Sequence, residues 1–207
     1  MSDEFLTRFR RMVDELETHP HLEVIDFHFY RPAKPEQIAE ASGSAGGRLP
    51  DGVEAFYREM NGFTLEWEIT LEELRQGDDS DKGLIDILPL EEVLKDWQGS
   101  IWQPGDERFK AVRPFDFFVP EACSALLYRE GSGFAPTVHY HYLGELLLDT
   151  GYGFRAYIDR LLASRGAWYW IETLCRETHG SPPAQAFFRR MPRLFPGFDP
   201  SLFQPGA

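Results

Sequence analysis

Cysteine is scarce in this chain. Cys123 and Cys175 are the two in 207 residues, each among apolar neighbours and neither with a second cysteine at ligand spacing. A multi-disulfide framework is excluded by count, and the pair reads as buried free thiols suited to a reducing compartment. Long apolar runs are missing too. No stretch approaches the roughly 20 apolar residues of a membrane-spanning helix. Charges break up the opening "MSDEFLTRFRRMVDELE", which does not read as a secretory signal. A cytoplasmic protein is expected. Basic residues are few, 21 against 34 acidic ones, for a net charge of -13. That balance argues against nucleic acid and against an anionic membrane surface, both of which demand Lys and Arg. It is compatible with steering toward a basic protein. Motifs for covalent chemistry are absent as well. "SGSAGG" and "EGSGF" lack the order of a nucleophile elbow. The many carboxylates single out no acid/base pair.

What is present is a core. Hydrophobic residues make up 43% and aromatic residues 14% of the chain. One α+β domain over residues 1–180 is expected. The Pro- and Phe-rich residues 181–207 read as an arm packed on that body. Phe5, Phe9, Met12, Val13 and Leu16 have helical spacing, which predicts a helix over 3–17. "HLEVIDFHFYRP" alternates Val24, Asp26, His28 and Tyr30 against Ile25, Phe27 and Phe29, a strand signal. Pro35 fits the first position of a second helix. Asp51 and Glu54 have capping-box spacing before a third, whose face is Val53, Phe56, Tyr57 and Met60. Asn61-Gly62 is placed to end it. "FTLEWEI" then puts Phe63, Leu65, Trp67 and Ile69 on one strand face, with Thr64, Glu66 and Glu68 opposite.

Further on, "LIDIL" predicts a strand and "PLEEVLKDW" a helix beginning at Pro89. Residues from there to about Pro114 carry no clear pattern. "FDFFV", "CSALLYR" and "TVHYHYL" predict three strands, with "EGSGFAP" a turn between the last two. Phe154, Tyr157, Ile158, Leu161 and Leu162 form a helix face that Arg165-Gly166 ends. "AWYWIETLCRE" predicts another helix.

Four patterns bear on chemistry. His139 and His141 share a strand face, where two imidazoles can hold zinc or iron if a third ligand joins them. The competing reading is a polar strand face with Tyr140 and Tyr142 turned to the core. His19 and His21 flank a proline and read as a surface turn. "GYGFRA" imitates a dinucleotide loop at a helix start, but the following strand of a βαβ unit is missing. "DDSD" lacks the spacing of an EF-hand.

The least random feature is charge. Residues 66–96 hold 11 acids and 3 bases, so they carry -8 of the total -13. Such a run is either solvated surface or a face for a basic partner. Glu66, Glu68, Glu72, Glu73, Asp78, Asp79 and Asp81 are the candidate partner-binding residues. No cofactor and no metal are expected.

"RLPDGVEAFYREMNGFTLEW" resembles the core of the SUKH superfamily, which includes the Smi/Knr-like regulators of fungal cell-wall assembly. The carrying features are a Leu-Pro, a helix ending in Asn-Gly, and a strand. "IDILPLEEVLKDW" is similar to the strand and helix that follow, and "FRAYIDRLLASRGAWYW" to the closing helix and aromatic segment of bacterial members. The resemblance spans about two-thirds of the chain. It implies an α+β binding module with a mixed or antiparallel sheet, helices packed against it and no catalytic residues. Many bacterial members look like immunity proteins that neutralise a co-encoded toxin, often a nuclease. An immunity protein that occludes a basic toxin with an acidic face is therefore expected. The alternatives are a regulatory adaptor without a toxin, as in the fungal members, and a metal-dependent enzyme using His139 and His141.

Overall fold

Alternation dictates the sheet. In "FTLEWEI" every second side chain is apolar, and Phe63, Leu65, Trp67 and Ile69 are all buried while Thr64, Glu66 and Glu68 stay half-exposed. A computed structural model describes residues 5–44, 46–77, 79–142 and 144–206, without the side chain of Asp79. The strands are β1 (Leu22–Phe29), β2 (Phe63–Ile69), β3 (Lys82–Ile87), β4 (Val112–Val119), β5 (Ala122–Arg129), β6 (Gly133–Phe134), β7 (His139–Tyr142) and β8 (Leu146–Asp149). They form one sheet in the order β1-β2-β3-β4-β5-β7-β8, with β6 beside the end of β5. Every described pairing is antiparallel. The fold is α+β, as composition and pattern predict.

Helices cover one face. They are α1 (Phe5–Glu17), α2 (Pro35–Ser44), α3 (Val53–Glu59), α4 (Leu90–Val93), α5 (Phe154–Ser164) and α6 (Pro182–Leu194). The amphipathic stripe of α1 buries Phe5, Phe9, Met12, Val13 and Leu16 against β1, α3 and α5. Phe9 meets the Phe63 ring edge-on at 4.9 Å, and Phe29 lies 4.8 Å from the same ring. Helix, edge strand and second strand thus share one aromatic cluster.

The other face is divided. Across β4, β5 and the β7–β8 hairpin it is covered by residues 97–111, the stretch without a sequence pattern. Trp102, Phe109, Val112, Cys123, Ala125 and Leu127 form a second, smaller core there. Across β1, β2 and β3 the same face is open among the described residues, and its side chains are polar or half-exposed.

Four local expectations give way to a physical cause. A bulge at Ile25 shifts the register of β1, so Leu22, Val24, Phe27 and Phe29 stand on the core face, not Ile25 with Phe27 and Phe29. No capping box forms at α3: the residue before it is Gly52 at φ 87 with no side-chain cap, while Asp51 pairs with Arg155 at 3.0 Å. That helix also stops at Glu59, ahead of Asn61-Gly62. Asn61 instead ties this end to the start of α4, accepting from the Leu90 N–H at 2.9 Å and donating to Glu91 at 3.0 Å. "AWYWIETLCRE" does not form an α-helix. Ala167 bridges to Gly83 in extended form, Tyr169 takes φ 56, and only a five-residue 3-10 turn, Trp170–Leu174, follows. Outside these four, the segment read as an arm packed on the body is helical from Pro182, is capped by Ser181, and sends Phe187, Met191, Leu194, Phe195 and Phe203 into the main core.

Two details set stability. Trp67, 1% exposed, packs against Gly83 and donates its indole N–H to the Arg165 carbonyl at 2.7 Å. A Cβ on Gly83 would come within 2.1 Å of that ring. Separately, Asp116 is fully buried, accepting from the Tyr157 hydroxyl at 2.7 Å and the Asp86 N–H at 3.0 Å. Tyr157 also shares a 2.7 Å hydrogen bond with Ser124. Burial pushes the Asp116 carboxyl up to about 7.

Gly83→Ala is expected to cost roughly 1–3 kcal/mol in chemical denaturation, because a fully packed indole has nowhere to move. Gly43→Ala, on α2 with no atom within 4 Å of the added carbon, is expected to be neutral or slightly stabilising. Equal effects at the two sites would remove the steric argument.

Asp116 has a raised folded pKa, so its linkage term favours folding fully below the unfolded pKa and fades as pH rises toward about 7. Between about pH 4 and pH 7 the wild type should therefore lose stability relative to Asp116→Asn, at up to roughly 1.4 kcal/mol per pH unit. Parallel stability-versus-pH curves for the two proteins would show that Asp116 is ionised in the folded state.

Candidate protein-binding surface

The open half of the outer face collects carboxylates from three strands. Antiparallel register sets Glu23 opposite Glu68 and Asp26 opposite Glu66 between β1 and β2. Between β2 and β3 it sets Thr64 opposite Asp86, Glu66 opposite Leu84 and Glu68 opposite Lys82. Five acids thus face outward together: Glu23, Asp26, Glu66, Glu68 and Asp86. His28 and Lys82 are the basic groups among the described outer-face residues of these strands. Two like-charge pairs stand directly across the ladder, an arrangement that costs the isolated fold. Partial burial holds the Asp86 carboxyl above its usual range.

The sequence candidates separate on this frame. Glu66 and Glu68 lie at the centre of the face. Glu72 and Glu73 follow in an exposed 3-10 turn, Glu72–Leu74, beyond the end of β2. Asp78 and the Asp79 side chain lie outside the described residues. Asp81 must be removed from the set. It is 4% exposed, its carboxylate pairs with Arg190 of α6 at 2.6 Å, and it accepts the backbone N–H groups of Gln76 at 2.8 Å and Gly77 at 2.7 Å. Arg190 also donates to the Ser80 carbonyl at 2.6 Å. Asp81 folds the acidic loop back on itself and ties it to α6, so it is unavailable to a partner.

Glu23 and Asp26 lie some 40 residues before the charged segment, and run composition cannot find them. The available signal is the alternation of β1, which turns them away from its apolar positions.

The histidine pair does share a face, that of the smaller core, while Tyr140 is buried on the opposite side. His141 is 3% exposed, lies edge-on to Phe109 at 4.9 Å, and has Nδ1 3.9 Å from the Cys123 Sγ. His139 is half-buried, with Nε2 4.0 Å from Asp149. Burial lowers the pKa of both imidazoles. Burial also drives the Cys123 thiol far up, with Asp116 adding to the effect, so it stays protonated and is a poor nucleophile. Among the described residues no group of three His, Cys, Asp or Glu is placed to hold a metal.

The turn at "GYGFRA" is covered by residues 204–206. Gly206 donates to the Thr150 carbonyl at 3.1 Å, and the Tyr152 hydroxyl donates to the Gln204 carbonyl at 2.8 Å. A Cβ on Gly206 would meet the Gly151 Cα at 2.5 Å, which leaves no room for a phosphate. Among the described residues no helix is long and apolar enough to cross a membrane. No family model matches the chain, and no curated protein shows significant similarity to it.

Asp81→Asn should cost stability, about 3 kcal/mol in denaturant, by leaving Arg190 charged and unpaired in a buried position. The double variant with Arg190→Met should recover part of that loss. A double variant as unstable as the sum of the singles would show that the ion pair carries no coupling.

Proposed function

We propose that the protein is a non-enzymatic protein-binding module of SUKH type, acting as an immunity protein that neutralises a basic toxin by covering it with an acidic surface. The observation that carries this reading is the outer face of β1–β3. It is open, it brings five carboxylates together, and it keeps two of its like-charge pairs directly opposed. Such a face lowers the stability of the free chain and is relieved by a positive partner. A nuclease that grips phosphate presents that positive surface. The Leu-Pro, Asn-Gly and aromatic features that resemble the SUKH superfamily support the same class. The protonated buried thiol and the neutral buried imidazole beside it do not form an activated nucleophile, which weighs against an enzyme.

The test is association with the product of the adjacent gene. Reversing Glu23, Asp26, Glu66 and Glu68 to lysine should lower the on-rate at least tenfold in 0.1 M salt. The difference should shrink at 1 M, where the Debye length falls from about 10 Å to about 3 Å. The same reversal at Asp14, Glu17, Glu36 and Glu40, exposed acids of α1 and α2, controls for net charge. Equal loss from the two sets would leave net charge alone and remove the case for this face.

A further inference from the structure

β1 is a free edge of the sheet. Among the described residues its eight-residue ladder pairs with β2 and nothing else. Natural edges are blunted by lysine, proline or covering elements. "LEVIDFHF" has neither residue; the bulge at Ile25 and the charges of Glu23 and Asp26 are what blunt it. Ile25 and Phe27 are 50% and 36% exposed, and Tyr30 just beyond is 38% exposed. Among the described residues those are three of the four exposed large apolar side chains, gathered in six residues.

The phase of the ladder decides which backbone groups are unpaired. Tyr30 N–H donates to the Gly62 carbonyl at 3.3 Å, and Thr70 N–H to the His21 carbonyl at 2.9 Å. Antiparallel residues direct their backbone groups alternately to one neighbour and the other. Above the bulge, Asp26 and His28 therefore turn toward β2, while Phe27 and Phe29 turn toward the open edge. Below it, Glu23 turns toward β2 and Val24 turns outward. The edge-directed residues are also those whose side chains lie on the core face.

We infer that β1 accepts an extended segment of the partner as an added strand, and that this strand alternates lysine or arginine with apolar residues. The inference rests on the proposed binding function and locates its first contact. The apolar positions of the added strand would lie beside Val24, Phe27 and Phe29. Its cations would lie beside Glu23 and Asp26, whose charges already oppose Glu68 and Glu66. The same carboxylates argue against a second copy of this chain. Two-fold pairing of β1 with itself would set Glu23 and Asp26 among their own counterparts, which like-charge repulsion disfavours. Main-chain hydrogen bonds would supply affinity and the alternating side chains selectivity, as in other strand additions.

The test uses a nine-residue peptide alternating lysine and valine, with a control in which proline replaces every valine. The charges match, but the control cannot pair as a strand. Hydrogen exchange is followed by NMR at the amides of Val24, Phe27 and Phe29. The lysine–valine peptide is expected to slow exchange at these amides at least tenfold, and the proline control to leave them unchanged. Phe27→Pro, checked for folding by its amide spectrum, should weaken peptide binding at least tenfold. Asp26→Lys, which leaves the backbone groups in place, should weaken it as well. Equal binding of both peptides without protection at β1 would overturn the inference in favour of charge attraction alone. Protection of the same amides in the peptide-free protein at raised concentration would overturn it in favour of self-pairing. If the lysine reversals abolish partner binding while the partner leaves these amides unprotected, the edge inference fails and the protein-binding reading survives.

Discussion

The seating of Trp67 on Gly83 is the constraint on which the arrangement of this molecule depends. One contact joins three pieces of chain. Register places Trp67 of β2 opposite Gly83 of β3, and the absent side chain is the floor on which the indole rests. The indole N–H then reaches the Arg165 carbonyl, in the left-handed turn that ends α5. Gly166 follows at φ 70, close against Ile85 and the Leu84 carbonyl, and Ala167 bridges back to Gly83. The exit of α5 is thereby fixed to β3. The 3-10 turn, α6 and the final aromatic residues follow from that exit. A side chain at position 83 would disturb β2–β3 pairing and the path of the C-terminal quarter together.

That dependence explains what the sequence made legible. Strict alternation in β2 and the helical stripes of α1 and α5 are local patterns, and they survive into the structure, with Leu162 of α5 half-buried and Ser164 buried beside the expected face. The bulge at Ile25 is not local. Val24 and Ile25 are both apolar, and β2 decides which of them is extruded. The non-helical course of "AWYWIETLCRE" is decided by β3, which holds Ala167 extended where a helix would need its first turn. Residues 97–111 had no periodicity because they form a cover, with single aromatic side chains pressed onto a sheet face. Tertiary contact overrides propensity at each of these places.

The candidate surface was half legible for the same reason. Glu66 and Glu68 stand out in a charged run and do face outward. Asp81 belongs to that run by composition but not by role. A carboxylate followed by small and polar residues reads as loop, and nothing nearby in sequence announces Arg190, 109 residues later. Glu23 and Asp26 join the face only through strand pairing. A charged run thus measures how many carboxylates are available, while strand register selects the ones that share a plane.

The two halves of the outer face also show why charge is left on one and not the other. Both halves belong to one continuous sheet, and an uncovered sheet face invites association. Over β4, β5 and the β7–β8 hairpin the chain covers its own surface with Trp102 and Phe109, and there it tolerates buried Cys123 and His141. Over β1–β3 no described segment lies on the face, and carboxylates stand in place of a cover. Negative charge keeps that half from pairing with itself, because every copy carries the same sign. It does so without closing the half to a molecule of opposite sign. On the proposed reading, the charges that repel a second copy would also select a positive partner, and opposing Glu23 to Glu68 and Asp26 to Glu66 would serve both ends.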